Sequence, residues 1–480
     1  MTDRRFSTVS SRSSGPAADP PTRTDHDSLG PIEVPAEALW GAHTQRAIEN
    51  FPISGIRIGR YRGLIHSLGC VKEAAAAANT ELGLLKKPVG TAIIEAARDV
   101  AAGAWDDEFP VDVIQGGAGT STNMNANEVI ANAALRKMGH PLGRHDIVHP
   151  IEHVNKCQST NDVYPTAVRL AIVLAIQKMV QELSSLADAF LERSEAFKDI
   201  QKIGRTQLQD AVPMTLGQEF AAFGNTIFED CDRLEEAIPL LLECNLGATA
   251  IGTGITAHPR YQEVVIKHLR AVTALPIEPA IDLIEASWDT GVFMQVSGIL
   301  KRSAIKLTKI CNDLRLLSSG PQAGLQEILL PPRQAGSSIM PGKVNPVIPE
   351  MMNQVVFIVV AADLTVTLAA ENGQLQLNAF EPVIAHTLLQ AFELMENGVR
   401  ILRQRCVEGI SPNEKFLRSQ EKTVTARATE LVPTMGYKAA AALVEQSLIT
   451  GRSIAELAEE QGLAQDVDPA ERFRHGRGRF

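Results

Sequence analysis

The stretch from Thr166 to Ile203 contains neither glycine nor proline, and this feature constrains the fold more than any other in the chain. Its apolar residues recur with helical spacing at Ile176, Met179, Val180, Leu183, Leu186, Phe190 and Phe197. Such a stripe is typical of a helix packed against its neighbours. At 1.5 Å per residue this helix would be roughly 57 Å long. A rod of that length needs partner helices alongside it, so the sequence predicts a bundle of long helices.

Four later segments predict further long helices at residues 217–246, 287–319, 349–371 and 383–407, in which the glycines and the interior Pro239 predict kinks more than breaks. Aromatic residues make up only 5% of the chain, while Ala, Leu, Val and Ile dominate. This composition favours an all-α protein over a β-sandwich or a β-barrel. The longest apolar run, Val355 to Ala370, contains Asp363 and is short for a membrane span. We expect this run to form a helix that is buried on all sides inside the bundle.

Composition and the pattern of helical segments divide the chain into four parts. Residues 1–29 are rich in Ser, Thr, Pro, Arg and Asp and lack an apolar core, which predicts a disordered N-terminal arm. Three helical domains are expected to follow: an N-terminal domain at 30–165, a central long-helix bundle at 166–411 and a small C-terminal domain at 412–480. Within the last of these, the pattern from Ser453 to Ala458 predicts a short amphipathic helix.

The formal net charge of −10 argues against a nucleic-acid-binding protein and against a protein that binds anionic membranes. An anionic ligand would therefore need positive charge that is supplied locally. The six cysteines are scattered without a Cys-x-x-Cys pair, which indicates reduced thiols in a cytosolic, cytoplasmic protein. His145, His149 and His153 have a spacing that could suggest a metal site, but Pro150 would disturb a helix there. We therefore expect no metal and no cofactor.

The segment Gly336–Pro346 cannot be a helix or a strand along its length. Two glycines, two prolines and a Ser-Ser pair interrupt both the helical spacing of apolar residues and the alternation of a strand. It carries the hydroxyls of Ser337 and Ser338, the ammonium of Lys343 and the amide of Asn345. These groups suit a loop that closes over an anionic small molecule. An ordinary Gly/Ser/Pro connector is the alternative interpretation.

A second polar segment, Gln115–Asn125, places glycines ahead of Thr120 and Ser121, and a helix is expected to start near Asn127. Hydroxyls and free backbone N–H groups at a helix start can bind an anion. Plain helix capping is the alternative interpretation, although it requires only one such hydroxyl.

A third polar segment contains Ser159, Thr160 and Asn161 just before the long helix. Ser159 and Asp162 have the spacing of a capping box. Because capping needs only one hydroxyl, another is left for a ligand.

A fourth polar segment, with Thr206 and Gln207, follows the long helix directly. These two residues and the Ser159–Thr160 pair would lie at opposite ends of a rod of roughly 57 Å. One chain cannot bring both ends to one small ligand. Either one segment is structural, or the sites are shared between subunits of an oligomer.

Together these segments resemble the signature sequences of the aspartase/fumarase superfamily, from about residue 29 to at least residue 410. The match of Gly336–Pro346 to the signature loop is highly specific. Within the superfamily, the segments most similar to those of aspartate ammonia-lyases are Gly116–Ser121, Gln158–Asp162, Asn245–Gly252 and Gln374–Asn378 with Glu381. Fumarases typically carry Lys at the position of Glu381 and a proton-transferring histidine at that of Gln207.

The resemblance implies an all-helical subunit of three domains and a homotetramer in which three subunits contribute to each active site. It implies the elimination of ammonia from L-aspartate to give fumarate, with this small molecule as the ligand. Ser337 would act as the base in its alkoxide form. Lys343 and Asn345 would hold a substrate carboxylate, with Ser338 assisting.

The same resemblance implies that Thr160, Thr206 and Gln207 grip the β-carboxylate. Thr120 and Asn161 would orient the α-amino group, with Ser121 and Ser159 nearby. Two alternatives stay open, a fumarate hydratase and a structural relative that has lost catalysis. The identities of Thr160, Gln207 and Glu381 count against the first, and the intact Ser337, Lys343 and Asn345 count against the second.

Overall fold

A computed structural model of the protein describes residues 21–421 and 428–462. These residues form two compact units. The first contains the described residues up to Leu174 together with Pro239–Met294 and Thr365–Leu389, and the second contains Ala175–Ile238, Gln295–Leu364 and the described residues from Gln390 onward. Helices dominate both units, which confirms the predicted all-α class. The predicted domain boundaries at residues 30, 166 and 412 stay predictions.

The α-helices are α1 (Ala42–Asn50), α2 (Arg62–Glu81), α3 (Lys87–Ala102), α4 (Thr120–Lys137), α5 (Thr160–Ala196), α6 (Leu216–Leu242), α7 (Tyr261–Thr273), α8 (Gly291–Leu317), α9 (Val347–Glu371), α10 (Glu381–Arg405), α11 (Glu414–Glu421), α12 (Ala428–Met435), α13 (Tyr437–Thr450) and α14 (Ile454–Glu460). The strands are β1 (Thr22–Asp27), β2 (Gly30–Pro35), β3 (Gln201–Thr206), β4 (Gln209–Thr215), β5 (Glu243–Cys244), β6 (Glu278–Pro279), β7 (Ile328–Leu329) and β8 (Ser411–Pro412). The strands pair as β1–β2, β3–β4 and β7–β8, all antiparallel, and as β5–β6, which is parallel.

The long helix α5 is confirmed, but it begins six residues earlier and ends seven residues earlier than the predicted Thr166–Ile203. It begins earlier because Ser159 caps it. The Ser159 hydroxyl accepts a hydrogen bond from the Asn161 N–H at 3.2 Å, and Asp162 Oδ1 accepts one from the Ser159 N–H at 3.0 Å. This is the predicted capping pair.

The helix ends earlier because the residues after Ala196 pair as a hairpin. Strand β3 pairs with β4 over Gln201–Thr215, with a register shift between Ile203 and Arg205. Lys202 and Ile203 are buried by this pairing and by the neighbouring packing. A run without glycine or proline permits a helix but does not require one, so tertiary pairing decided the outcome here.

The four other predicted long helices are confirmed within four residues at each end as α6, α8, α9 and α10. The amphipathic segment near Ser453 is confirmed as α14, where Ser453 forms a complete capping box with Glu456. Leu457 of this helix is buried in a small cluster with Ala428 and Leu443.

The predicted disordered arm was wrong at its C-terminal end, because Thr22–Asp27 forms strand β1. Polar composition suggested disorder, but the polar side chains have specific partners. Asp25 is buried against His145, with 3.1 Å between Oδ1 and Nε2, and Asp27 pairs with Arg46 at 2.8 Å. Residues 1–20 of the predicted arm lie outside the described residues.

Helix α9 differs from the prediction in its burial. The expectation that it is buried on all sides was wrong for the single chain, because Phe357 is 63% exposed and Leu364 is 59% exposed. Both α5 and α9 are long and apolar enough to cross a membrane by length and composition alone. In α5 72% of the apolar window is buried in the protein, whereas in α9 the figure is 33%. Packing within the chain therefore explains the apolar surface of α5 but not that of α9.

Candidate active site

The loop Gly336–Pro346 lies between β7 and α9, and its conformation is organised around the Ser337 hydroxyl. Ser337 Oγ accepts hydrogen bonds from the backbone N–H groups of Ile339 at 3.1 Å and Met340 at 3.0 Å. Donors aimed at an oxygen favour its ionised form and lower the pKa of the group that carries it. The loop therefore provides part of what a serine base needs.

The base of this loop is closed by contacts between its two ends. The Gly336 N–H donates to the Lys343 carbonyl at 2.7 Å, and the Asn345 side-chain amide donates to the Gly336 carbonyl at 3.0 Å. A Cβ atom at Gly336 would lie 2.6 Å from the Lys343 carbonyl oxygen, so only glycine allows this approach. Ser337, Ser338, Lys343 and Asn345 are thus held on one compact loop.

Helix α4 begins at Thr120, so the predicted start near Asn127 was wrong. The chain enters this helix through Gly119, whose φ of 89° is left-handed, and a Cβ atom there would lie 2.5 Å from the Tyr164 ring. Gly119 has no side chain with which to cap the helix. In the part of the chain that the structure describes, the hydroxyls of Thr120 and Ser121 make no hydrogen bond to protein. Plain capping is therefore excluded as their role.

The N-terminal ends of α4 and α5 lie side by side. Asn123, in the first turn of α4, donates from Nδ2 to Thr160 Oγ1 at 3.1 Å. This contact places Thr120 and Ser121 near the turn that contains Ser159, Thr160 and Asn161. Ser159 is occupied with capping α5, whereas the half-buried Thr160 hydroxyl, which accepts from Asn123, still has its proton to donate to a ligand.

Asn161 is positioned by an unusual helix start. Pro165 lies inside α5 and has no N–H to donate to the Asn161 carbonyl four residues earlier. Asn245 Nδ2 donates to that carbonyl instead, at 2.9 Å. The Asn161 side chain donates from Nδ2 to the Ala250 carbonyl at 2.8 Å, which leaves Oδ1 as a free acceptor suited to an ammonium group.

Asp162 is a residue whose importance the sequence reasoning missed, beyond its capping role. Its Oδ2 accepts hydrogen bonds from the backbone N–H groups of Gly247 at 3.2 Å and Thr249 at 2.9 Å. Burial raises the pKa of this carboxyl to about 7, although the three backbone donors and Lys72 favour the ionised form. Asp162 thus ties the segment 245–250 to the start of α5. The sequence contained a hint of this contact, because Gln158–Asp162 and Asn245–Gly252 both resemble signature segments of the same superfamily.

Thr206 and Gln207 lie at the tip of the β3–β4 hairpin, with both side chains exposed. The two turn residues, Gln207 and Leu208, have φ angles of 55° and 62°. Left-handed backbone at non-glycine residues is uncommon and occurs preferentially at functional sites.

A buried ionic cluster, which was not predicted from the sequence, holds this hairpin. Lys202 Nζ lies 2.7 Å from carboxylate oxygens of both Glu219 and Glu327, and Arg205 pairs with the other oxygen of Glu327. Glu327 is 1% exposed and directly precedes β7, a few residues before the signature loop. In the sequence, Glu327 is only an isolated acidic residue before the apolar run Ile328–Leu330, so no pattern predicts its ionic contacts.

The three spaced histidines have other partners. His145 bonds Asp25, and this hydrogen bond and the carboxylate charge outweigh burial, so the pKa of His145 is raised. His149 Nδ1 accepts backbone N–H groups at 3.0 and 3.2 Å and caps the helical turn Pro150–Val154. Among residues 21–421 and 428–462, no group of three or more His, Cys, Asp or Glu side chains is arranged to hold a metal ion.

Comparisons with known proteins agree with these motifs. A lyase family model matches residues 30–361. The chain is 53% identical over 446 residues to an aspartate ammonia-lyase from Pseudomonas canavaninivorans, which covers 93% of this chain and 94% of that protein.

Two solved structures are also similar. One is a fumarate lyase:delta crystallin from Brucella melitensis bound to cobalt, with a TM-score of 0.90 and 51% identity over 92% of this chain and 96% of that one. The other is a class II fumarase from Schistosoma mansoni, with a TM-score of 0.87 and 34% identity over the same shares of the two chains. With its family model, its relatives and its signature loop in agreement, this chain belongs to the aspartase/fumarase superfamily of lyases.

Proposed function

We propose that this protein is an aspartate ammonia-lyase, which reversibly eliminates ammonia from L-aspartate to give fumarate. The observation that carries the proposal is the 53% identity, over 93% of this chain, to a protein of that name. Gln207 at the hairpin tip and Glu381 at the start of α10 support the same branch of the family.

The reaction begins with removal of a proton from Cβ of aspartate, which is a weak carbon acid. The resulting carbanion survives only as an enediolate on the neighbouring carboxylate. Ser337 acts as the base, supported by the two backbone N–H groups that already point at its oxygen. Lys343 and Asn345 hold a substrate carboxylate with the help of Ser338, and closure of the loop excludes water.

The remaining polar residues bind the rest of the substrate. Thr160, Thr206 and Gln207 donate hydrogen bonds to the β-carboxylate and stabilise the second negative charge that develops there. Asn161 Oδ1 and Thr120 orient the α-amino group, with Ser121 and Ser159 nearby. Ammonia is a tolerable leaving group, so the elimination does not require a histidine as a strong acid at the position of Gln207.

We propose a homotetramer with active sites shared between subunits. Helix α5 has 37 residues and a length of roughly 55 Å. Thr160 is its first residue, whereas Thr206 comes after its last. A small ligand that binds both residues must therefore take them from two different copies of the chain. The exposed apolar side chains of α9, such as Phe357 and Leu364, would be covered by neighbouring subunits.

Membership of this family is consistent with a soluble enzyme, and we propose a cytoplasmic location. All six cysteines are free thiols, and five of them are buried. Free thiols are typical of reducing compartments.

Fumarate hydratase is the second candidate, favoured by the likeness to the Schistosoma mansoni fumarase. The deciding experiment follows the absorbance of fumarate with purified protein and either L-aspartate or L-malate. Formation from aspartate alone supports the proposal, and formation from malate alone overturns it in favour of a fumarase. If a folded protein formed no fumarate from either substrate, the proposal would be overturned in favour of another substrate or of a relative that has lost catalysis.

A further inference from the structure

Lys72 is a fully buried lysine on α2 that the proposed mechanism does not use. Its Nζ donates to Asn155 Oδ1 and to Gln158 Oε1, both at 2.9 Å. Both partners lie in the segment that leads into α5. Burial of an ammonium group costs free energy unless the group is paired and hydrogen-bonded, so a buried lysine beneath the candidate site requires an explanation.

A chain of hydrogen bonds connects Lys72 to the candidate site. Asn123 Nδ2 lies 3.2 Å from Asn155 Oδ1 and 3.1 Å from Thr160 Oγ1. The path therefore runs from Lys72 through Asn155 and Asn123 to the Thr160 hydroxyl. Every member of this path belongs to the same compact unit.

The direction of this path follows from the chemistry of its first member. A lysine ammonium has donors and no acceptor, so Asn155 must turn its oxygen toward Lys72. Asn123 must then turn its NH₂ group toward Asn155, since the opposite orientation would set two amide oxygens against each other. The same NH₂ group donates to Thr160, so Thr160 Oγ1 acts as an acceptor there.

The consequence is that the hydroxyl proton of Thr160 is left over. Among the described residues, no protein acceptor takes this proton. A substrate carboxylate only accepts hydrogen bonds, so a threonine that is held as a donor matches it.

We propose that Lys72 is a positioning residue that orients the Thr160 hydroxyl as a hydrogen-bond donor to the substrate carboxylate. This inference rests on the proposed role of Thr160 in carboxylate binding. Burial lowers the pKa of Lys72 to about 7, while the charge of Asp162 opposes the shift. The orientation does not depend on that titration, because even the neutral amine has two N–H groups for the two oxygens that it contacts.

The test compares two isosteric substitutions in the same buried cluster. Asn123→Asp replaces the donor with an acceptor, which takes the Thr160 proton away from the ligand. Asn127→Asp is the matched control, because Asn127 Nδ2 also lies 3.2 Å from Asn155 Oδ1 but no contact joins it to Thr160. Both variants bury one extra carboxylate, so a purely structural effect should appear in both.

The readout is the affinity for succinate, a dicarboxylate without an amino group, measured by calorimetry on the full-length protein. We expect Asn123→Asp to weaken succinate binding by roughly 10- to 100-fold, the value of one hydrogen bond to a charged group. Asn127→Asp should change it by less than about threefold. Lys72→Met should behave like Asn123→Asp and raise KM for the substrate more than it lowers kcat.

The inference would be overturned if Asn123→Asp and Asn127→Asp lost succinate affinity equally, or if Asn123→Asp left that affinity unchanged. A wild-type protein that does not bind succinate would also overturn it. If Lys72→Met does not fold, Asn123→Asp and Asn127→Asp still decide whether the path that begins at Lys72 orients the Thr160 hydroxyl. Turnover of malate instead of aspartate would overturn the proposed function alone, because both substrates carry the carboxylate that Thr160 would bind.

Discussion

Asn245 donates its side-chain amide to the main-chain carbonyl of Asn161 at 2.9 Å, and so replaces the helix hydrogen bond that Pro165 cannot make. Asn245 is 2% exposed, so loss of its donor would leave a carbonyl without a partner. We expect Asn245→Ala to lower the free energy of unfolding by about 1–3 kcal/mol. Because Asn161 would shift, KM for aspartate should rise. Chemical denaturation and steady-state kinetics measure the two effects.

The matched control restores the missing donor from within the helix. Pro165→Ala supplies an N–H four residues after Asn161, in the normal position for helix bonding. The double variant Asn245→Ala/Pro165→Ala should therefore recover part of the stability that the single variant loses. A double variant that is no more stable than Asn245→Ala contradicts this account of the helix start.

The same residues show what the sequence could predict. Helical spacing correctly identified α5 and its bundle neighbours, because apolar periodicity is a local property. The tolerance of Pro165 inside α5 is not a local property, since the donor that replaces its missing N–H comes from Asn245, 84 positions after the acceptor residue Asn161.

The candidate site was predicted in part for the same reason. Hydroxyl and amide residues near Thr120, Thr160 and Ser337 were recognisable from their motifs. The groups that hold them, such as Glu327 beneath the hairpin and Lys72 beneath Thr160, were not. Their importance comes from tertiary contacts that no local pattern records.

Gly119 and Gly117 provide a test of how tightly the start of α4 is held. Both have left-handed φ angles, 89° and 90°. A Cβ atom at Gly119 would lie 2.5 Å from the Tyr164 ring, whereas at Gly117 the nearest atom is 3.7 Å away. Gly117→Ala should cost about 1–2 kcal/mol of stability from backbone strain alone.

Gly119→Ala should cost more than this and should reduce kcat/KM, because the clash displaces the turn that carries Thr120 and Ser121. Thermal unfolding and kinetics of the two variants separate strain from steric conflict. Equal stability and equal activity of the two variants would show that the Tyr164 contact does not hold this turn.

Glu327 neutralises two cations of the hairpin, and we expect its removal to be severe. In Glu327→Gln, the buried Lys202 and the half-buried Arg205 lose their shared charge partner, and Lys202 keeps only Glu219. Breaking a buried ion pair in this way costs about 3–5 kcal/mol. KM for aspartate should rise as well, because the hairpin tip carries Thr206 and Gln207.

Asp210→Asn is the control for the hairpin. Asp210 pairs with Arg205 at 3.7 Å and is 57% exposed, so this loss should cost less than about 1 kcal/mol. Chemical denaturation of both variants gives the comparison. A cost for Glu327→Gln as small as that for Asp210→Asn would mean that the buried cluster does not anchor the hairpin.

His149 should make stability depend on pH on the acid side. Burial and the neighbouring His145 and His153 lower its pKa below 6.5, against the opposing charges of Glu152 and Asp25. Its neutral Nδ1 accepts two backbone N–H groups, and protonation would convert this acceptor into a donor. Between the lowered pKa and 6.5, the unfolded chain binds more protons, so stability rises with pH and is lost as the pH falls.

His149→Asn keeps a capping acceptor that does not titrate. We expect the decrease in Tm between pH 7.5 and pH 5.5 to be smaller in this variant than in the wild type. His153 contributes a slope of the same sign and His145 one of opposite sign, so the difference between variant and wild type is the informative quantity. An unchanged decrease would assign the acid sensitivity to other groups.

Ser337→Ala tests the proposed base directly. The Ile339 and Met340 N–H groups would lose the oxygen at which they point, and with it the proposed acceptor of the Cβ proton would be removed. We expect kcat to fall by roughly 10²–10⁴-fold, the usual contribution of a positioned base. The Kd of succinate should change little, because Lys343 and Asn345 remain in place.

Ser338→Ala provides the comparison on the same loop. Ser338 is expected to assist in carboxylate binding, so its loss should raise KM more than it lowers kcat. The contrast between the two neighbouring serines separates proton removal from binding. Wild-type turnover in Ser337→Ala, or a larger loss of kcat in Ser338→Ala, would exclude Ser337 as the base, because the residue that removes the proton must dominate kcat.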